Sequence, residues 1–451
     1  MSTDLLSIEL LAISRIRNIL LAAYVVLPCC HSTDSPSREV ATFNNSVSGH
    51  CDVLVSNNYL SEDNDFFPAA AEALSSDRFL IAWVDDYYGS LSFRRYDVSD
   101  GGFLDAATVL SYSVQNVHKA GSATVNEGGI SQSVAWLTWD YVPSPSYRSI
   151  CFARIRNDGT YLKSLNTKTD AAGATGARGN TYNAMGRPEQ RILITYVTGN
   201  IEFGYEGNLP CGERLEGLIY HPNGTLLVGP LVITEASGDD CVAAPSATFN
   251  SYASRFEIVY QYRQGTYVWW NAKHLQPDGT VESVPHVLDP ICAVPLKSTD
   301  STLSGPECHR HTVAFDSNPS RNATNRFAVS NYGWLYTNRQ DSSHVSSIYV
   351  DSAMGFSSVV DMANQISNYS YQTFKHDFSD GFWNVKFYDN SPTPEDLDSI
   401  GSRPCDSGQH RGYCYHNEAM ANGGTYTAAM YGDMYGETPP NPLVLCIMDG
   451  F

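Results

Sequence analysis

Short apolar runs with an aromatic or β-branched bias recur along the chain, each ending in polar turn residues. RFLIAW from Arg78, RILITY from Arg191, RFEIVY from Arg255 and RFAVSN from Arg326 open alike, while SVAWLTW from Ser133 and FWNVKFY from Phe382 are looser copies. Runs this short, without the three- and four-residue spacing of an amphipathic helix, predict strands. A second element is an Asp/Asn-Gly-Thr turn: Asp158-Gly159-Thr160, Asn223-Gly224-Thr225 and Asp278-Gly279-Thr280. Asp100-Gly101-Gly102 and Asn422-Gly423-Gly424-Thr425 are less close, and Gly355 marks a degenerate copy. Such dipeptides favour hairpins because the turn needs positive φ. The two elements alternate roughly every sixty residues, and each unit reads as four strands. In the first unit these are FFPAAAEAL, RFLIAWV, SLSFRRYD and FLDAATVL; in the fourth, APSATFN, RFEIVYQY, WWNAKHL and TVESVPHVL.

Units of four antiparallel strands that cannot bury their own faces must stack, and closing into a ring serves best. The expected fold is therefore all-β: a β-propeller of six blades, each of four antiparallel strands. Phe79, Trp136, Ile194, Ile258 and Val329 are expected in its core. Seven blades is the alternative, with YCYHNEAM and TYTAAMYG opening a last blade that PLVLCIM and the N-terminal CDVLVS complete. A pair of β-sandwiches would match the strand count but not the regular period. The repeat resembles the propeller unit of many secreted proteins, in which a P-A-V-A-like strand leads to an R-Y-L-V-V-W-like strand and a D-G-T hairpin. That resemblance spans about residues 51 to 450 and implies fold, not activity.

Composition agrees and narrows the partners. Of 451 residues 42% are hydrophobic and 17% charged, which excludes wholesale disorder, and the net charge of −20 disfavours nucleic acid and anionic membrane surfaces. Arg15 and Arg17 precede an apolar run from Ile19 to Leu27, then Pro28 and small residues. This pattern predicts a signal peptide over 1–32, a linker over 33–50 and the propeller over 51–451, hence a secreted protein with no membrane insertion after cleavage. Sequons at Asn44, Asn223, Asn322 and Asn368 are then expected to carry sugar. Nine cysteines remain after cleavage. The expected pairs are Cys51 with Cys446 to close the ring, Cys211 with Cys241, Cys292 with Cys308, and Cys405 with Cys414, leaving Cys151 over; spacing alone does not fix this connectivity.

The loops divide unequally between the two faces. Those joining strand one to two and three to four are mostly short, while those joining strand two to three and blade to blade run long, as at 198–214, 288–307 and 389–411. Long loops on a rigid scaffold are the usual place for function. Second strands end on that face in acids and aromatics: Asp85, Asp86, Tyr87 and Tyr88; Asp140 and Tyr141; Tyr262 and Arg263; Tyr332 and Trp334; Tyr388 and Asp389. Aromatic faces stack on sugar rings and carboxylates accept from hydroxyls, so these twelve are the candidate ligand-binding residues. Asp as a turn residue and Tyr as amphipathic packing is the competing structural account.

The expected function is extracellular binding of a glycan or a secreted protein. The alternative is a glycan-active enzyme with paired carboxylates drawn from Asp85, Asp86, Asp140 and Asp389 in the central funnel. The S-x-D-x-G-x-T-W box of sialidase-like propellers is missing, and no G-x-S-x-G, H-E-x-x-H, Walker or dinucleotide fingerprint occurs. His309 with His311, His410 with His416, and Asp63-Asn64-Asp65 lack metal-ligand spacing, so no metal, cofactor or catalytic residue is assigned.

Overall fold

The structure is a computed structural model. It describes residues 49–59, 69–85, 89–127, 129–144, 147–182, 185–203, 210–251, 253–264, 267–282, 286–288, 312–315, 327–331, 334–338, 345–349, 359–364, 371–377, 382–388, 396–404, 416–432 and 441–449. The segments 1–32 and 33–48, Asn44, Asn322, Asn368, Cys292, Cys308, Cys405 and Cys414 lie outside the described residues, as do Asp86, Tyr87, Tyr88, Tyr332 and Asp389.

Every element among the described residues is a strand. After β1 (Gly49–Tyr59), blade I comprises β2 (Ala69–Ala73), β3 (Arg78–Asp85) and β4 (Ser90–Asp97), with β5 (Gly102–Phe103) and β6 (Thr108–Ser111) sharing the outer edge. Blade II holds β7 (Val114–Glu127), β8 (Ile130–Ser144), β9 (Tyr147–Arg156) and β10 (Tyr161–Thr169). Blade III opens with β11 (Ala171–Tyr182) and β12 (Pro188–Thr198); after two short strands, β13 (Glu202–Phe203) and β14 (Pro210–Gly212), it closes with β15 (Arg214–Tyr220) and β16 (Leu226–Glu235). Blade IV is β17 (Cys241–Asn250), β18 (Arg255–Gln264), β19 (Tyr267–Leu275) and β20 (His286–Leu288). Then come β21 (Thr312–Phe315), β22 (Phe327–Asn331), β23 (Trp334–Asn338) and β24 (Val345–Tyr349), followed by β25 (Val359–Asn364), β26 (Tyr371–Asp377), β27 (Phe382–Tyr388) and β28 (Asp396–Pro404). The chain ends on β29 (His416–Asn422), β30 (Tyr426–Gly432) and β31 (Asn441–Asp449), and β1 pairs with β31 as the fourth strand of that group.

The fold is a β-propeller. Among the described strands the four-stranded groups number seven, the arrangement that the repeat spacing left as its alternative to six. Their innermost strands adjoin in the cyclic order β2, β7, β11, β17, β21, β25, β29 and back to β2. The N-terminal strand thus closes the ring by completing the last blade. Cys51 and Cys446 lie on these two paired strands, within a stretch bounded by His50 opposite Ile447 and Val53 opposite Leu445.

The second strands of blades I to IV are apolar on both sides through much of their length because each is sandwiched between blades. Leu80, Ala82 and Val84 of blade I meet Ala135, Leu137 and Trp139 of blade II. Val134 and Trp136 meet Ile192, Ile194 and Tyr196, and Leu193 and Val197 meet Phe256, Ile258 and Tyr260. Phe79, Trp136, Ile194 and Ile258 are all buried as expected. Val329 lies on β22, where only the strand is described.

Both sequence motifs join neighbouring blades. At the start of the first of the repeated second strands, Arg78 donates to Asp97 Oδ2 through Nε (3.0 Å) and to Asn157 Oδ1 of blade II (3.1 Å). Burial would raise the Asp97 carboxyl, but bonds from Ser99 and Arg78 hold it down at about 2. In the Asx-Gly-Thr turns, the Oδ1 of Asp158, Asn223 and Asp278 accepts from the N–H of the Thr two residues on. The glycine has two reasons to be there. At Gly224, φ is 94°, and a Cβ would lie 2.8 Å from the Arg154 guanidinium of blade II, which packs beneath the turn. Gly224→Ala should therefore cost about 1–3 kcal/mol, the usual worth of a strained non-glycine backbone. Chemical denaturation checks this, and a loss below a few tenths of a kcal/mol would show that the turn yields freely.

Candidate functional site

The innermost strands crowd together at the axis, which leaves room mainly for small side chains such as Ala69, Ala70 and Ala71. At the end where first strands turn into second strands they leave a cavity of ≈ 460 Å³. Its wall carries Glu72 from blade I, Lys119, Ser122 and Thr124 from blade II, Arg178 from blade III and Thr248 from blade IV. Glu72 is deep in the ring, yet cavity solvent reaches part of its surface. Burial pushes its carboxyl up, against the pull of Lys119, Arg178 and a hydrogen bond from Ser122. A carboxyl, two cations and several hydroxyls thus converge from different blades. Such a set can accept from and donate to a ligand rich in hydroxyl or oxyanion groups.

This cavity opens on the short-hairpin face, since Ser75, Ser76 and Gly423 of the first-to-second-strand turns lie at its edge. Loop lengths favoured the opposite face. There, the connection between the second and third strands of blade III folds back as β13 and β14. Cys211 of β14 pairs with Ala243 and Gly212 with Val242, on the edge of β17 that β18 leaves open. A Cys211–Cys241 disulfide, with Cα atoms 5.6 Å apart, fastens this hairpin as expected. Cys151 is a thiol buried between blades I and II, with its sulfur 4.0 Å from the Ser149 hydroxyl.

The candidate rim residues that can be followed are mostly occupied within the protein. Asp140 was expected at an exposed strand end but is 2% exposed. Its Oδ2 accepts from Gly173 N (2.9 Å) and Asn116 Nδ2 (3.1 Å), and its Oδ1 from Ala174 N (3.0 Å), so it ties blade II to blade III. Burial pushes its carboxyl up, while these donors and Arg148 pull the other way. Tyr141 is half-buried and meets Tyr147 edge-on at 6.4 Å. The Tyr262 hydroxyl donates to Asp240 Oδ2 (2.9 Å), and Arg263, also buried, donates to Gln261 Oε1 (3.3 Å). Asp85 is half-buried at the end of β3, where its backbone pairs with Tyr59 and Ser90. Trp334 and Tyr388 sit on β23 and β27, where only the strands are described. The Tyr141–Tyr147, Tyr262–Asp240 and Arg263–Gln261 contacts stay within the blade or its flanking connection, and none of these draws two candidates into one site.

Sequence reasoning missed Glu72, Lys119 and Arg178. The one signal was charge inside small-residue first strands, AAAEA and GATGARG, where alanine and glycine otherwise prevail.

No family model matches the chain. The curated proteins give no match either. Solved structures do resemble it at low identity. "Structure of Dos1 propeller" has 8% identity and a TM-score of 0.39, over 82% of this chain and 74% of that one. The sialidase of Trypanosoma rangeli, solved with the inhibitor DANA, has 10% identity and a TM-score of 0.41, over 88% and 59%. A thermostable family-43 glycoside hydrolase has 11% identity and a TM-score of 0.33, over 76% and 99%. Likenesses this distant do not bear on what the chain binds or does.

Proposed function

We propose that this chain is a secreted propeller that binds the end of a glycan in its axial cavity on the short-hairpin face. The observation that supports this most is the convergence of Glu72, Lys119 and Arg178 with Ser122, Thr124 and Thr248 in one cavity. At ≈ 460 Å³ the cavity falls within the roughly 300–1,000 Å³ usual for small-ligand sites. Secretion is supported by the signal-like N-terminus and the Cys211–Cys241 disulfide; Asn223, the one sequon whose side chain is described, is exposed on its turn. The glycan-active enzyme remains the second reading, because a buried carboxyl such as Glu72 suits a general acid. Among the described residues, however, the wall holds one carboxyl, and hydrolysis by paired carboxylates needs two within roughly 5 to 9.5 Å.

A saccharide panel screened by calorimetry against the secreted protein tests the reading. Glu72→Gln should weaken binding about ten- to a hundredfold, the worth of a hydrogen bond to a charged group. Asp85→Ala, on the long-loop face, should leave affinity unchanged. The reverse pattern would move the site to the long-loop face, and turnover of a bound saccharide that stops in Glu72→Gln would establish the enzyme instead.

A further inference from the structure

We infer that the glycan end held in the axial cavity is acidic, bearing a carboxylate or sulfate that Arg178 grips with Lys119 beside it. The inference rests on the cavity being the ligand site and adds the chemical class of the ligand. The first ground is charge. The whole chain carries −20, yet the described wall of the cavity carries two cations and a single carboxyl. An acidic protein repels anions over most of its surface, so two cations on adjoining first strands, among the described residues, favour this spot for an anion.

The second ground is the way Arg178 is held. Its stem packs on Gly121 of the neighbouring blade, where an added Cβ would lie 2.6 Å from the Arg178 Cβ and 3.0 Å from its backbone nitrogen. The φ of 94° at Gly121 further reserves the position for glycine. The arginine is nevertheless exposed, lines the cavity, and its guanidinium makes no hydrogen bond to any described residue. Glu72 acts on it only through its charge. A guanidinium presents donors in a planar fork that matches a carboxylate or sulfate through two parallel bonds. Ser122 and Glu72, already joined, are placed to meet the hydroxyls of the same sugar. A neutral sugar would use those two and leave the Arg178 fork without a ligand group to hold.

The test compares a glucuronate-ended oligosaccharide, its glucose-ended counterpart and inorganic sulfate, each titrated into the full secreted chain. The glucuronate form should bind at least about tenfold tighter than the glucose form, with a preference that shrinks as salt rises. Arg178→Ala should weaken the glucuronate form far more than the glucose form, so that the preference disappears. Arg178→Lys, which keeps the charge without the fork, should retain part of it. Equal binding of the two saccharides, or equal losses in Arg178→Ala, would overturn the inference and leave the cavity as a neutral glycan site. Sulfate binding as tightly as the acidic saccharide would also overturn it, by showing an anion site without sugar recognition. Failure of every saccharide to bind would remove the reading of the cavity along with the inference. The salt dependence and the saccharide comparison need no variant, so misfolding of a mutant cannot hide the outcome.

Discussion

Asp140→Ala should destabilise the protein by about 3–5 kcal/mol, the range for breaking a buried charged network by removing one partner. The carboxylate is 2% exposed and accepts three hydrogen bonds, two of them from the backbone of the next blade at Gly173 and Ala174. Alanine would remove the acceptor of the Gly173 and Ala174 N–H groups, at about 1–3 kcal/mol each before any water enters, and one partner of the Asn116 amide. Asp140→Asn keeps one acceptor oxygen and should fall between wild type and Asp140→Ala. Asp158→Ala, on an exposed turn, is the comparison and should cost about 1 kcal/mol or less. Urea denaturation of the three variants reads the difference directly. Equal small losses at Asp140 and Asp158 would mean that the joint between blades II and III does not depend on this carboxylate.

Replacing both Cys211 and Cys241 by Ser should cost about 3–4 kcal/mol in the chain-entropy account of a crosslink. The two cysteines are 30 residues apart in sequence, with the outer half of blade III between them. The crosslink holds β14 against β17, whose ladder consists of Cys211 opposite Ala243 and Gly212 opposite Val242 and would be weak without it. Thermal unfolding of the wild type under reducing and non-reducing conditions provides the control. Reduction should bring the wild type close to the double variant and leave the variant itself little changed. A double variant as stable as the oxidised wild type would show that the hairpin keeps its place through pairing and packing alone.

The long-loop face illustrates where sequence reading reached its limit. Asp85 and Asp140 look equivalent, each at the end of a second strand. Packing separates them. Trp83 of blade I and Trp139 of blade II both face the preceding blade, so Asp140 falls in register with Val84 and faces forward, while Asp85 matches Tyr141. A shift of one residue reverses the side to which every side chain in a strand points. Short and degenerate motifs leave such a shift invisible.

By itself, the sequence determined the strand-turn-strand repeat, the apolar second strands and the Asx-Gly-Thr hairpins, because backbone propensity and two-sided burial act locally. It also pointed to the Cys211–Cys241 bridge. The tertiary structure decided that β1 completes the last blade, since that pairing joins opposite ends of the chain and no local pattern encodes it. It alone brought Glu72, Lys119 and Arg178 together, each unremarked within its own strand. The three come from consecutive blades, and only closure of the ring turns their first strands toward a common axis.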